Sequence, residues 1–157
     1  MFKLPELDQT DIQLLKILQN NADFPYKQIA KLLHKSEPVI YDRIRSLRNK
    51  GYIQSSVILL NLQKIQQMLT VYVQIKLNEH SAQALNLFQE TVTNFDEVME
   101  CYHMTGNYDF KLKVVIPDMP AYNNFIRCRL SAVPNLGAVE SHFVIAQHKH
   151  ETAYKLG

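Results

Sequence analysis

The sequence has no apolar run that approaches the roughly 20 residues needed for a membrane-spanning helix. Its first residues, MFKLPELDQTD, are too acidic and have too short an apolar stretch for a secretory signal peptide. We therefore expect a cytoplasmic protein without a membrane partner. Over 157 residues, 46% are hydrophobic and 20% charged, which is typical of a soluble globular protein of one domain or two small ones.

Cysteine and the common catalytic motifs are also scarce or missing. Cys101 and Cys128 form no CxxC pair, and we expect both to be buried free thiols in a reducing compartment. The sequence contains no HExxH motif, no phosphate-binding P-loop and no nucleophile elbow. His148 and His150 lie two residues apart near the end of the chain without a third ligand, a weak pattern for a metal site. The sequence thus predicts no metal site, no cofactor and no catalytic residues.

Charge, by contrast, is present and unevenly distributed. Residues 1–60 hold nine Lys and Arg against six Asp and Glu, whereas residues 61–157 hold eight against nine. Residues 35–51 alone contain five basic and two acidic side chains, in a chain whose total net charge is +2. This pattern indicates an anionic partner for one end of the chain only.

Three short helices are predicted in the first third of the chain. Asp8 caps the first, and Pro25 stands at the first position of the second. Ser36 caps the third, which should stop at Gly51 in a left-handed conformation. A short break at His34-Lys35 joins the last two helices, so the arrangement is that of a helix-turn-helix motif. A trihelical core without any ligand is the alternative.

The third predicted helix has two different faces. Ile40, Ile44 and Leu47 recur at i, i+4 and i+7 and should face the core. The opposite face and the entering end form the predicted DNA-binding surface: Lys35, Ser36, Glu37, Pro38, Tyr41, Asp42, Arg45, Ser46 and Arg48. A solvated charged face without a partner is the alternative.

Helical phase separates the roles within that surface. Arg45, with its exposed neighbours, should reach base edges, whereas Lys35 and Arg48 are better placed for phosphates. Arg43 points partly inward, so an ion pair with Asp8 or Asp11 of the first helix competes with a role at the DNA.

Beyond residue 68 the hydrophobic period changes to two, as in strands. The predicted elements are strands at 69–77, 98–104, 108–115 and 139–146 and helices at 81–93 and 120–133. The order βαββαβ predicts an α+β fold in which a ferredoxin-like, four-stranded antiparallel sheet carries both helices on one face.

The other face of that sheet would lack cover. It would carry Tyr72, Gln74 and Lys76 from the first strand and Lys111 and Lys113 from the third. Such a mixed surface is often simply wet. Association of two chains through it would nevertheless supply the symmetric pair in which DNA-reading helices usually work.

The residues described above resemble the Lrp/AsnC, or feast/famine, family of transcription regulators. The positions in step with that family's N-terminal pattern are Leu7, Asp8, Asp11, Leu14, Leu15, Ala30, Ser36, Ile40, Arg43, Ile44, Leu47, Gly51 and Ile53. The segment YHMTGNYDFKLKV resembles the strand-turn-strand signature of the family's ligand-sensing RAM domain. Across nearly the whole chain, we expect a winged-type helix-turn-helix domain at 1–53, a linker at 54–68 and a βαββαβ effector-binding and oligomerisation domain at 69–157.

The predicted effector site lies between two strands. Gly106-Asn107 is first of all a hairpin turn, which explains the glycine without a ligand. Asp109 is expected on the exposed side of the next strand, where a carboxylate beside turn amides and a hydroxyl can bind an α-ammonium and an α-carboxylate. The resemblance implies an amino-acid effector at a subunit interface, held by Thr105, Gly106, Asn107, Tyr108 and Asp109, with Ser141 and His142 from a neighbouring subunit.

Two positions depart from the family pattern. His34 stands where the turn commonly has Gly, which puts the backbone angles of that turn in question. Asp42 stands where a basic or neutral polar residue is common, so it would repel a phosphate or accept a hydrogen bond from a cytosine N4 amine.

The resemblance implies a sequence-specific transcription regulator, at least a dimer and expected to be an octamer. Its effector would change the association of dimers and so the spacing of their DNA-binding helices. Two rival functions remain. The sirohaem decarboxylases are similar two-part enzymes with pocket His, Tyr and Arg residues, although the basic third helix argues against them. An architectural protein that compacts DNA without an effector is the other rival.

Overall fold

The computed structural model describes residues 7–156, which form two compact units. The first unit combines residues up to Leu59 with those from Lys149 onward, and the second is Leu60–His148. Residues 149–156 therefore group with the first unit by their contacts. No helix within residues 7–156 has the length and apolarity required to cross a membrane.

The first unit is built on three helices, as predicted: α1 (Gln9–Leu18), α2 (Tyr26–Leu32) and α3 (Glu37–Asn49). Their apolar faces meet in a small core of Leu14, Ile29, Ala30, Ile40, Ile44 and Leu47, each at most 6% exposed. The three apolar residues predicted for the inner face of α3 all belong to it. Residues 54–60 follow as an irregular connector, within the segment predicted as a linker.

Two of these helices end in the same left-handed stop. At the end of α3, Gly51 has φ +78 and Tyr52 N donates to Leu47 O over 2.9 Å. At the end of α2, His34 has φ +51 and Lys35 N donates to Ala30 O over 3.0 Å. Both are Schellman motifs, which satisfy carbonyls that the helix end leaves free. The turn therefore keeps a left-handed backbone although histidine occupies the position favoured by glycine.

The second unit contains a four-stranded antiparallel sheet in the order β2-β3-β1-β4. Its elements are α4 (Leu62–Ile65), β1 (Leu69–Leu77), α5 (Ala82–Val92), β2 (Val98–His103), β3 (Phe110–Ile116), α6 (Met119–Asn124) and β4 (Leu136–Phe143). The predicted βαββαβ order and α+β class are confirmed. The central strands pair Val71 with Val114 and Val73 with Leu112, so their apolar side chains share a face.

Both long helical segments pack on that apolar face. α5 contributes Phe88 and Val92 to the core, and the second helical segment contributes Phe125 and Leu130. This second segment is not the single α-helix predicted at 120–133. It runs from α6 into a π-helical turn at Phe125–Arg129 and then a short 3₁₀ turn.

The cysteine prediction is wrong in part. Cys101 is half-buried beside the core, and its burial raises the pKa of the thiol, but Cys128 is exposed. Cys128 lies in the π-helical turn, which is wider than an α-helical turn and shifts the phase of the side chains along it.

The opposite face of the sheet carries the predicted polar and aromatic side chains. Lys111 Nζ lies 4.5 Å from the centre of the Tyr72 ring. Lys113 Nζ donates to Glu100 Oε1 over 2.8 Å. These contacts order the side chains on the face opposite the one on which α5 and α6 pack.

Candidate functional sites

The outward face of α3 is the first candidate site. Ile40, Ile44 and Leu47 are at most 2% exposed, which fixes the rotation of the helix about its axis. All nine residues of the predicted DNA-binding surface are exposed: Lys35, Ser36, Glu37, Pro38, Tyr41, Asp42, Arg45, Ser46 and Arg48. The structure therefore brings these side chains together on the surface of one helix and its entering turn.

Arg43 does not belong to that surface. Its Nη1 donates over 2.6 Å to Oδ2 of Asp8, the N-cap of α1, and over 2.8 Å to Oδ1 of Asp11 in the first turn of α1. These two hydrogen bonds raise the pKa of the Arg43 guanidinium. Of the two roles open to Arg43 from the sequence, the structure forms the ion pair. The cationic character of the outward face consequently comes from Arg45, Arg48 and the lysines.

Tyr41 is supported from α2. Its ring centre lies 6.3 Å from that of Tyr26, with the two planes tilted by 58°. Tyr26 is half-buried against the small core, whereas 53% of Tyr41 is exposed. The pair holds one exposed aromatic side chain at a defined place on the helix surface. Sequence reasoning missed Tyr26, because no spacing rule links the start of one helix to the middle of the next.

The second candidate site is the loop of residues 104–109, which joins β2 to β3. It is longer than the two-residue turn considered at Gly106-Asn107, and Met104 N donates to Asp109 O over 2.8 Å across its base. Gly106 has φ +118, a conformation that other residues rarely adopt. Thr105, Gly106 and Asn107 are exposed, so their hydroxyl, amide and backbone groups face solvent.

Asp109 lies differently from its prediction. Its side chain is 18% exposed, and its Oδ2 accepts the backbone N–H of Leu77 over 2.8 Å. The same oxygen lies 3.0 Å from Nε2 of His80. Burial raises the pKa of this carboxyl, but the Leu77 hydrogen bond, His80 and Lys76 outweigh burial and leave it lowered. The carboxylate is therefore turned toward the end of β1, not toward Thr105 and Asn107 on the exposed side.

Tyr108 ties the loop to the edge strand β4. Its hydroxyl donates to Glu140 Oε2, and this bond raises the pKa of Tyr108. Glu140 Oε1 also lies 3.3 Å from Nε2 of His142. Sequence reasoning missed both Glu140 and His80. Strand alternation offers a signal for Glu140, because it shares a face with His142 two residues later.

The two β4 candidates point in opposite directions. Ser141 lies opposite Val73 on the helix-covered side and accepts a hydrogen bond from Tyr122. His142 lies opposite Tyr72 on the open side. Only one of the two can therefore face a given ligand from this strand. A contribution by either residue to a site on a neighbouring subunit stays a prediction.

The described residues contain no group of three His, Cys, Asp or Glu side chains that could hold a metal ion. The exposed side chains of the two sites offer hydrogen-bond donors, hydrogen-bond acceptors and charge. A cationic helix surface is suited to the phosphates and base edges of DNA, and a polar loop is suited to a small zwitterion.

Comparison with known proteins places both units in context. Residues 70–154 match the family model described as the Lrp/AsnC ligand binding domain, and residues 7–54 match a winged helix-turn-helix DNA-binding model. The chain is 31% identical to the DNA-binding transcriptional activator DecR of Escherichia coli strain K12, over 94% of this chain and 97% of the relative.

Two solved structures of transcriptional regulators are also similar to this chain over most of its length. An AsnC family transcriptional regulator from Agrobacterium tumefaciens is 34% identical with a TM-score of 0.86, covering 93% of this chain and 95% of that one. A transcriptional regulator from Neisseria meningitidis, solved as its complex with L-Met, is 25% identical with a TM-score of 0.87, covering 94% and 96%.

Proposed function

The chain belongs to the Lrp/AsnC family of transcription regulators, and on that premise we propose that it reads DNA through α3 and responds to an amino-acid effector. One observation carries the proposal: every residue of the predicted DNA-binding surface is exposed on α3 and its entering turn. Arg43 is bound to Asp8 and Asp11. The other two arginines of α3, Arg45 and Arg48, are exposed.

The outward residues divide into two roles. Arg45 donates to O6 and N7 of a guanine in the major groove, the commonest specific contact between an arginine and a base. Arg48 and Lys35 lie at phosphates, where they add affinity without selecting a sequence. Asp42 precedes Arg45 by almost one turn and accepts from a cytosine N4 amine. Tyr41, braced by Tyr26, packs against bases or sugars beside them.

A gel-shift titration on DNA upstream of the protein's own gene tests this proposal. We expect a specific complex at moderate salt that survives excess unrelated DNA and is lost on Arg45→Ala. Lys64→Ala is the matched control, since it removes an exposed cation from the second unit. A complex that forms equally with unrelated DNA, or that Arg45→Ala leaves intact, would contradict sequence-specific reading by α3.

The effector is proposed to bind at the loop of residues 104–109. Three features support this site: exposed Thr105 and Asn107, the backbone amides around Gly106, and the ties of the loop to β1 and β4. A ligand that binds this loop would therefore lie on a segment that is hydrogen-bonded to both β1 and β4. The L-Met bound to the Neisseria meningitidis relative supports an amino acid as the ligand class.

A thermal-shift screen over the twenty amino acids tests the effector. A ligand that binds only the native state raises the melting temperature. We expect one amino acid or a few related ones to do so, and Thr105→Val to lose the response without a change in the melting temperature of the free protein. A response that is the same in Thr105→Val would remove this hydroxyl from the site.

Self-association completes the proposal. Within the second unit, the face of the sheet opposite α5 and α6 carries ordered polar and aromatic side chains, and pairing of two chains through it gives the two-fold symmetry suited to two DNA half-sites. We propose a dimer that assembles further to an octamer in the cytoplasm. The amino acid shifts the equilibrium between assemblies, and DNA and effector must influence each other's binding by the same factor.

A regulator is favoured over a tetrapyrrole-converting enzyme because the named relatives are transcription regulators and the cations of α3 face outward. Incubation of the purified protein with a sirohaem-type tetrapyrrole checks this choice. We expect the absorption spectrum of the tetrapyrrole to stay unchanged. Conversion to a new product would favour the enzyme.

A further inference from the structure

The first unit contains a cavity that the proposed function does not use. It has a volume of about 310 Å³. α1, the last turn of α3, the connector and the C-terminal segment line it, and all of these belong to the first unit. The cavity is therefore a feature of the DNA-binding unit itself.

The walls of the cavity combine apolar surface with a single charge. Leu15, Leu18, Ile53 and Leu156 are the aliphatic residues of the lining, and Arg48 is its charged residue. The remaining polar lining is uncharged, and no Asp or Glu of the described residues takes part in it. An occupant must therefore be an anion or a neutral molecule with an apolar body, since a cation would meet Arg48 without a counter-charge.

We infer that this cavity binds a small aliphatic carboxylate. The carboxylate accepts a forked pair of hydrogen bonds from Arg48, and the hydrocarbon chain lies against the leucine side chains. The volume is at the small end for ligand pockets, which suits a branched acid of about six carbons. A zwitterionic amino acid fits less well, because no carboxylate of the lining would receive its ammonium group. The site is thus chemically distinct from the effector loop.

The C-terminal segment forms part of the cavity wall and is fixed in place by one side chain. Gln19 Nε2 donates to Tyr154 O over 2.7 Å, and Gln19 Oε1 accepts from Tyr154 N over 2.8 Å. This pair of hydrogen bonds resembles the two N–H···O bonds that a residue pair exchanges between antiparallel strands. Leu156 beyond it lines the cavity. A bound acid touches both α1 and the segment, so it stabilises their contact.

The site also bears on DNA binding, and this part rests on the proposed function. Arg48 is assigned there to a phosphate, and a carboxylate bound to the same guanidinium would neutralise that cation. The acid should therefore weaken DNA binding by the amount of one phosphate contact and leave base selection unchanged.

Isothermal titration of the full-length protein tests the site with 4-methylpentanoate as the probe. The neutral control is 4-methylpentanamide, which has the same shape, and leucine is the zwitterionic control. We expect the acid to bind roughly ten times or more tighter than the amide, since an ionised partner strengthens the hydrogen bonds to Arg48. Equal affinities of acid and amide, or no binding of either, would overturn the assignment.

Three variants locate the binding. Arg48→Gln should weaken the binding of 4-methylpentanoate by about tenfold or more. Ala22→Leu should block binding, because the larger side chain at this lining position would occupy part of the cavity. Arg45→Gln is the matched control on the same helix. It does not line the cavity and should leave the titration unchanged. Binding that persists unchanged in both Arg48→Gln and Ala22→Leu would place the probe elsewhere and overturn the proposal.

The linkage to DNA has its own measurement. Saturating 4-methylpentanoate should reduce the slope of log affinity against log salt by about 0.9, as expected for one phosphate contact, and Arg48→Gln should show no such change. An unchanged slope in the wild-type protein would overturn the linkage. If the protein binds no specific DNA, the proposed function fails, whereas the calorimetric result for the cavity stands or falls by itself.

Discussion

Arg43 on α3 and Asp8 at the start of α1 form an ion pair with Nη1 and Oδ2 2.6 Å apart. The same Nη1 lies 2.8 Å from Oδ1 of Asp11. Asp8 and Asp11 also cap α1 reciprocally, each accepting the backbone N–H of the other. The N–H of Asp11 and then Arg43 lower the pKa of Asp8 against the effect of its burial. One arginine thus joins α3 to the cap of α1.

Arg43→Met should lower the free energy of unfolding by about 1 kcal/mol at pH 7, since it removes this ion pair and keeps the aliphatic packing. Urea titration at fixed protein concentration measures the change. Arg45→Met, on the exposed face of the same helix, is the control and should change stability by no more than about 0.5 kcal/mol. Equal losses in the two variants would show that Arg43 has no special structural role.

The same pair predicts a dependence on pH. The pKa of Asp8 is lower in the folded chain than in the unfolded one, where it is about 3.9, so its contribution is present above that pH and lost as pH falls through the folded value. The stability difference between wild type and Arg43→Met should therefore shrink below about pH 4. A difference that is constant from pH 7 to pH 3 would contradict an electrostatic origin.

His34→Gly should stabilise the first unit. The left-handed backbone at φ +51 costs a residue with a Cβ atom about 1 kcal/mol, and glycine recovers part of this. We expect a gain of about 0.5 kcal/mol or more by urea titration, and no gain for His34→Ala. Gly51→Ala makes the opposite substitution at the corresponding position after α3 and should destabilise the first unit. A loss of stability in His34→Gly would mean that the imidazole makes a contribution larger than the strain.

These residues also show what the sequence could predict. Helix caps, apolar faces and strand alternation depend on neighbours in sequence, so the fold of both units, the outward face of α3 and the stop at Gly51 could be predicted. For Arg43 the sequence left two possible roles, an ion pair with the first helix or a contact with DNA. Only the structure decides between them, because Asp8 lies 35 positions away in sequence.

Asp109 shows the limit of that reasoning. The prediction placed it within a strand and assigned its side by alternation, but β3 begins one residue later, at Phe110. The direction of its side chain is set by the N–H of Leu77 and by His80, which lie 32 and 29 positions away. The contact between Gln19 and Tyr154 could not be predicted either, because 135 positions separate the two residues.

Asp109→Ala should destabilise the second unit by about 1–3 kcal/mol, because it leaves the Leu77 N–H without its acceptor. His80→Ala should cost less, since that side chain is 51% exposed. Asp109→Asn retains an acceptor and should retain most of the stability. Urea titration orders the three variants, and a cost for Asp109→Ala no larger than that of His80→Ala would contradict this role.

The lowered pKa of Asp109 sets a pH window for the same contribution. A depressed folded pKa gives stability that is present above the unfolded value of about 3.9 and disappears as pH falls through the folded value. The cost of Asp109→Ala should therefore be full at pH 7 and reduced at pH 3. An undiminished cost at pH 3 would assign it to lost packing instead of the charged hydrogen bond.

Tyr72→Glu should dissociate the proposed dimer. The substitution removes the ring beneath Lys111 and places a carboxylate on the open face in both copies, where two like charges would meet. We expect the dimer dissociation constant to rise by about tenfold or more, measured by sedimentation equilibrium. Gln89→Glu adds the same charge on the exposed side of α5 and is the control. An unchanged assembly in Tyr72→Glu would place the dimer contact on another surface.

A paired comparison of Arg45→Ala with Arg48→Ala decides whether α3 selects a DNA sequence. Binding to a set of sites with each base pair substituted in turn is measured by fluorescence anisotropy across a range of salt. Arg45→Ala should lose about 1–3 kcal/mol of discrimination at one G·C pair and keep its preferences elsewhere. Arg48→Ala should weaken all sites alike and reduce the salt slope by about 1. If both variants weaken binding to every site equally, α3 contacts only the DNA backbone and does not select a base sequence.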